Sequence, residues 1–178
     1  MLSTLAIVVL ITMLVAVGVS LATRTYSQSI ELSEAKVLHS TLSEVISNEL
    51  AQTGTIEAAG ASADGKGYKL GKFFSRNYGV KDDLCAFQVL DPETGKVMAS
   101  GGKGQLALGS GTVQNRLLSS AAYTNGTTAT IGVNYYEAKE TPAVPAHFEV
   151  TLNVYSKDGN ELVSNTFDVV PYNHVTVK

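Results

Sequence analysis

The side chains best suited to chemistry are few and far apart in the sequence. There are three histidines, His39, His147 and His174, and a single cysteine, Cys85. Metal sites and thiol sites usually bring such residues together at short spacings, as in HExxH or CxxC, and neither pattern occurs. Cys85 lies in an apolar run without a basic neighbour, so we expect a buried thiol rather than a nucleophile. We expect His39 to lie on a helix surface rather than to bind a ligand.

Two further patterns resemble ligand sites but lack parts of them. Residues 60–67 have the glycine and lysine spacing of a phosphate-binding loop, but Gly67 stands where a Ser or Thr would bind Mg²⁺. Asp82 and Asp83 are adjacent acids of the kind that is usually solvated in a loop. The sequence therefore predicts no catalytic site, no cofactor and no metal, and a protein that is not an enzyme.

Charge is distributed unevenly along the 178 residues. Residues 1–23 contain no charged side chain, and all 16 acidic and 13 basic residues lie beyond them. The remainder carries the net charge of −3, which gives no electrostatic reason to bind nucleic acid. We predict no nucleic-acid partner.

The uncharged N-terminal segment is long enough to cross a membrane. Residues 2–22 would span about 31 Å as a helix, close to the thickness of a bilayer core. A cleavable signal peptide, a single-span anchor and a processed filament subunit are the three interpretations. No basic residue precedes the segment and Arg24 follows it, which disfavours an exported head on a simple anchor. Removal of a basic leader before Met1 would resolve that conflict, which favours the processed subunit.

The helical pattern continues beyond the apolar segment. No proline occurs before Pro92 and no glycine between Gly18 and Gly54, so nothing breaks a helix over residues 2–52. Apolar residues recur there mostly at spacings of three, four and seven, as on one helix face. Gly54 is a natural helix C-cap. The side chains expected to pack against a head are Val37, Leu38, Leu42, Val45, Ile46 and Leu50.

Strand and turn patterns dominate the rest of the chain. We predict a hairpin over residues 85–99 and strands at 127–137, 147–155, 162–170 and 174–177. Residues 58–67 read as a surface connector, 101–111 as a glycine-rich loop, and 112–122 as a strand or a short helix. The predicted fold class is α+β, a long N-terminal helix packed against an antiparallel sheet. The predicted domains are residues 1–53, divided into an apolar half (1–23) and an amphipathic half (24–53), and a β-rich head, 54–178.

The first ten residues, MLSTLAIVVL, running into Arg24-Thr25-Tyr26 and the amphipathic half, resemble the N-terminal helix of type IV pilins and pseudopilins. The pilin-like subunits of Gram-positive bacteria, including those of tight-adherence systems, are similar. The resemblance covers residues 1–53. It implies a structural subunit that enters the membrane and then polymerises with copies of itself into a filament at the cell surface. It also implies an N-methylated Met1. The polymerising residues would be Met1, Leu2, Leu5, Ile7, Val8, Val9, Leu10, Ile11, Leu14, Val15, Val17 and Leu21.

One position departs from that family. Its members usually have Glu at mature position five, where this chain has Leu5. Some tip-located pseudopilins also lack the Glu, which leaves open a minor pseudopilin of a secretion system. The other alternative is a single-pass membrane protein with an exported β domain that binds a ligand or partner.

Overall fold

The computed structural model describes residues 2–75, 84–99, 101–110, 113–140 and 143–178, with no side-chain description for residues 2–6 and Val113. One long helix, α1 (Leu2–Ala51), precedes nine strands. The strands are β1 (Thr55–Ala61), β2 (Tyr68–Phe73), β3 (Ala86–Leu90), β4 (Gln105–Ser110), β5 (Val113–Arg116), β6 (Thr128–Tyr136), β7 (His147–Tyr155), β8 (Glu161–Val169) and β9 (Thr176–Val177). The chain forms two compact units, residues 1–34 and 35–178, so the division falls within α1.

The second unit begins with the part of α1 that belongs to its core. Five apolar side chains there are buried at intervals of three and four residues, which places them on one helix face. They are Ala35, Leu38, Leu42, Ile46 and Leu50. Val45 is half-buried beside them. The fold class is therefore α+β, as the sequence predicts.

Two expectations for this helix face are wrong. Val37, expected to pack against the head, is 64% exposed, because it lies about 100° around the helix from Leu38 and points away from the buried stripe. His39, expected at the surface, is 8% exposed. The stripe is thus rotated from its predicted position: it takes in Ala35 and His39 and leaves Val37 out.

A six-stranded sheet, in the order β8-β7-β6-β2-β1-β9, packs on this face. The run β6-β7-β8 is antiparallel over nine-residue strands, close to the predicted ones. Its inward side chains alternate along β7, where Phe148, Val150, Leu152 and Val154 are fully buried. At the other edge β1 pairs with β9 in parallel, so the sheet is mixed rather than wholly antiparallel.

The expected connector at residues 58–67 begins with the second half of the strand β1, which pairs with β2. Most of its side chains are small, so the strand shows no alternating hydrophobic pattern in the sequence. Its backbone can still pair with β2, because strand pairing depends on backbone groups. Gly71 of β2 needs to be small, because a Cβ there would lie 2.9 Å from the Glu57 carbonyl oxygen. Residues 62–67 form the turn that follows β1.

The expected glycine-rich loop at residues 101–111 is also wrong, because it contains β4. This strand is buried at five of six positions and lies between β3 and β5 in a three-stranded sheet. A Cβ at Gly109 would lie 2.1 Å from the Gln88 side-chain oxygen, so a larger residue there would displace the Gln88 side chain. The predicted partner of β3, residues 96–99, contributes only a bridge between Leu90 and Val97. Residues 112–122 hold both predicted alternatives, β5 and a 3₁₀ turn, Ser120–Ala122.

Candidate assembly helix

The apolar half of α1 has no covering structure in the described part of the chain. Eleven large apolar side chains between Ile7 and Leu21 are each 45–69% exposed. They are Ile7, Val8, Val9, Leu10, Ile11, Met13, Leu14, Val15, Val17, Val19 and Leu21. Because consecutive residues advance about 100° around a helix, these side chains surround the axis. This half thus differs from residues 35–51, which bury one face.

The segment is apolar enough to lie in a membrane. Its most apolar 18-residue window, within Ile7–Ala51, has a mean hydropathy of 2.2 and no buried residue. Its Thr12 hydroxyl is satisfied locally, since it donates to the carbonyl oxygens of Val8 and Val9 at 3.1 and 2.9 Å. Thr23 and Thr25 donate in the same way to carbonyls four residues earlier. These three threonine hydroxyls therefore need no water, which suits an apolar environment.

The need for cover follows from the energies involved. Removing one Leu, Ile or Val side chain from water is worth about 1.5–3 kcal/mol when complete. Eleven side chains that are each 45–69% exposed together amount to roughly 10–20 kcal/mol, which is comparable to the roughly 5–15 kcal/mol by which a typical domain is stable. Lipid or other apolar helices around the segment would remove this surface from water.

The C-terminal end of α1 is tied to the rest of the second unit by hydrogen bonds. The Tyr172 backbone N–H donates to the Ala51 carbonyl at 2.7 Å, and the Thr53 N–H donates to the Leu50 carbonyl at 3.1 Å. The Thr53 hydroxyl donates to the carbonyls of Glu49 and Phe74. These bonds satisfy carbonyls that a helix end leaves open, so residues 35–51 and the sheet behave as one body.

A buried polar contact adds to this connection, and the sequence pattern does not reveal it. Glu49 is 6% exposed, although its place between apolar residues suggests a solvated face. Its carboxylate accepts a hydrogen bond from the Ser75 hydroxyl at 2.5 Å. A hydrogen bond to a charged group is worth more than one between neutral groups, about 1.5–3 kcal/mol, so Ser75 fixes the chain after β2 to the helix.

Burial favours the neutral forms of three titratable groups in the core, Cys85, His39 and Tyr123. Burial raises the pKa of the Cys85 thiol to about 11, with a smaller contribution from the Glu49 charge. That thiol is fully buried and donates to the Phe73 carbonyl, as expected for a core cysteine. Burial likewise lowers the pKa of His39, against a smaller opposing effect of the Leu152 backbone. Burial raises the pKa of Tyr123 to about 12, and its oxygen accepts the Leu106 N–H.

The polar motifs of the sequence do not converge on one place among the described residues. In that part of the chain, no three His, Cys, Asp or Glu side chains lie close enough to hold a metal ion. A cleft of about 300 Å³ between β2, β3 and β6 has Lys69 as the one titratable side chain in its described lining. Asp82 and Asp83 lie outside the described residues.

The loop with phosphate-binding spacing is a turn closed on itself. The Asp64 carboxylate accepts bonds from the Ser62 hydroxyl and the Lys66 backbone N–H, and these lower its pKa. The Ser62 hydroxyl oxygen in turn accepts the Gly67 N–H at 2.9 Å. The polar groups of this turn are thus directed at one another.

Among the proposed polymerising residues, Met1 lies outside the described residues and the side chains of Leu2 and Leu5 are not described. The others form the exposed surface defined above. The residues that sequence reasoning missed are buried ones, His39 and Glu49, whose polar types suggested solvent. Ala35 also belongs to the buried stripe. It lies four residues before His39, a spacing that places both residues on one helix face and that the sequence pattern already contains.

The chain matches no protein-family model, no curated protein and no solved structure. What the structure itself defines is an α+β protein with a membrane-length apolar helical segment and a β domain.

Proposed function

We propose that the chain is a structural subunit of a type IV pilus-like filament at the cell surface. Its apolar helix would first lie in the membrane and then pack with the helices of other copies. The β domains would form the outer layer of the polymer. The protein would have no catalytic role and no nucleic-acid partner.

One observation carries the proposal: residues 7–21 are uncharged, mostly apolar and exposed on every side of a helix that runs from Leu2 to Ala51. A tether needs no regular structure between membrane and domain. Here the helical assignment continues into the residues that form the core of the domain.

The second candidate is a single-pass membrane protein whose β domain binds a partner outside. The same exposed surface supports it, because lipid alone could cover a helix of this length. Leu5 also favours this second candidate, or a minor pseudopilin, because the chain lacks the Glu that type IV pilins usually have at this position.

Cysteine cross-linking separates the two candidates. Val9 and Ile11 lie about 200° apart around the helix, so they face different neighbours in a bundle. Oxidation of the double variant Val9→Cys/Ile11→Cys in intact cells should give a ladder of species larger than dimers. The fully buried Cys85 contributes little to such products.

The single variants Val9→Cys and Ile11→Cys are the matched controls, since each should stop at a dimer. A double variant that stays monomeric, while its membrane insertion is normal, would contradict assembly and favour the anchor.

A further inference from the structure

The outer edge of β8 is a long strand edge that no described strand covers. β8 ends the six-stranded sheet, and β7 is its one partner among the described strands. Proteins usually protect such an edge with proline, charged side chains such as lysine, a bulge or a covering segment. The two charged side chains of β8, Glu161 and Asp168, lie near its two ends. The nine residues of β8, ELVSNTFDV, contain neither proline nor lysine. The one irregularity in its pairing lies at the start, next to Tyr155.

The direction of the backbone groups follows from the β7-β8 hairpin. The Ser156 N–H donates to the Asn160 carbonyl at 2.8 Å, so the even-numbered residues of β7 direct their backbone groups at β8. Their partners, among them Asn165 and Phe167, direct theirs back at β7. Ser164, Thr166 and Asp168 therefore direct N–H and C=O groups outward.

This edge is complementary to itself. The midpoint of Glu161–Val169 is Asn165, so an antiparallel copy with the greatest overlap has its twofold axis there. Ser164 then lies opposite Thr166 of the other copy, and each such pair can exchange two backbone hydrogen bonds.

The side chains agree with this register. Val163 and Phe167, both half-buried on the core face, lie opposite each other across the axis, where an apolar pair stabilises a sheet. The two acids of the strand, Glu161 and Asp168, lie opposite Val169 and Leu162. No like charges therefore oppose each other.

We propose that two copies of this chain pair through β8, antiparallel about an axis at Asn165, so that their six-stranded sheets join. The partner at this edge is a second copy, because the outward backbone groups of one β8 can pair with those of another β8 related by the twofold axis. The side chains that then lie opposite each other are also compatible. The pairing uses residues of the second unit alone. It does not depend on the assembly of α1, and the failure of either proposal leaves the other standing.

Asn165 provides the direct test. Residues facing each other across the axis form a non-hydrogen-bonded pair with Cα atoms about 4.5 Å apart, within the range that a disulfide spans. The full-length variant Asn165→Cys, purified in detergent that covers residues 7–21, should oxidise to a dimer. Thr166→Cys is the matched control on the same exposed strand, and it lies opposite Ser164 rather than its own copy. We expect about fivefold more dimer from Asn165→Cys.

A backbone change tests the hydrogen bonds. In the variant Asn165→Cys/Thr166→Pro, proline removes an outward N–H while the bonds between β7 and β8 remain, a position that edge strands accept. We expect its dimer yield to fall to that of Thr166→Cys. Equal cross-linking of Asn165→Cys and Thr166→Cys, or cross-linking that survives the proline in a folded protein, would overturn the proposal.

Hydrogen exchange of the unaltered protein gives a reading independent of any variant. The outward N–H groups of Ser164, Thr166 and Asp168 should become protected as the protein concentration rises. Exchange at these amides that does not change with concentration overturns the pairing, and so does protection that requires another protein.

Discussion

Val37 and Leu38 are adjacent in α1, yet Val37 is 64% exposed and Leu38 is 4% exposed. This contrast marks the buried stripe of the second unit, which has one covered face. Between Ile7 and Leu21, in contrast, neighbouring apolar residues are all exposed. One helix thus has two kinds of surface, and each predicts a different response to substitution.

The first prediction concerns the buried stripe. Leu42→Ala should lower the free energy of unfolding by about 2–5 kcal/mol, because Leu42 is fully buried and its loss leaves a cavity. Val37→Ala, one turn away and exposed, should change it by less than about 0.5 kcal/mol. Denaturant unfolding of the full chain in detergent, followed by tyrosine fluorescence, measures both. Equal effects of the two substitutions would contradict the assigned face.

The second prediction concerns the central strand of the small sheet. Gly109→Ala should destabilise the protein by about 1–3 kcal/mol, because the new Cβ would occupy the place of the Gln88 side chain. Gln88→Ala in the same chain should restore most of that loss, as the conflict is with the side chain. Denaturant unfolding of the two single variants and the double variant measures the coupling. Additive effects would show that Gln88 is not the obstacle.

The third prediction is a loss of stability in acid that depends on His39. Burial lowers the pKa of His39 in the folded protein, so the unfolded chain binds the proton more readily. The stability that neutral His39 contributes is therefore fully present above about pH 6.5. It is lost as the pH falls through the lowered pKa of His39 in the folded protein. Unfolding measured between pH 4 and pH 8 should show this slope reduced in His39→Leu. His174→Leu, at an exposed site, serves as the control and should retain it.

The fourth prediction is that the native thiol reacts only when the protein unfolds. The pKa of Cys85 is raised to about 11, so the thiol of the folded protein stays protonated at pH values well above its ordinary pKa. Stability should fall as the pH rises from about 9 towards 11, since the unfolded chain releases that proton first. A thiol reagent at pH 8 should modify Ser164→Cys quickly and Cys85 at the rate of unfolding. Fast modification of Cys85 in the native protein would contradict its burial.

These contrasts show what a single sequence could reveal. The absence of Gly and Pro between Gly18 and Gly54, and the alternation over residues 147–155, predicted α1 and β7 because periodicity and chain breakers are local properties. The β1 strand and β4 escaped prediction because their glycines and alanines form no apolar pattern; they are strands through pairing with distant neighbours.

The exposed apolar segment of α1 was predicted more completely than the head. Its signal, a run of uncharged and mostly apolar residues over 2–22, needs no tertiary information. The burial of His39 and Glu49 could not be predicted, because a polar residue is buried only where a distant partner or the sheet receives it. For Glu49 the partner is Ser75, which lies in a later part of the chain.

The fifth prediction separates assembly from folding. Leu14→Lys introduces a charge at the middle of the apolar segment, which costs about 2.5–3.5 kcal/mol at the centre of a membrane helix. The head should remain folded, because residue 14 lies outside the second unit. Tyr172→Lys, at an 80% exposed site of the head, is the charge-matched control. Membrane fractionation and circular dichroism should show normal folding of both, with reduced insertion of Leu14→Lys alone.

Electron microscopy of the purified full-length protein, after removal of detergent, tests the central claim most directly. The proposed assembly predicts fibres whose core contains residues 7–21 from many copies, formed by the unaltered protein and Tyr172→Lys but not by Leu14→Lys. Monomers without fibres under every condition, or fibres that Leu14→Lys forms equally well, would contradict it.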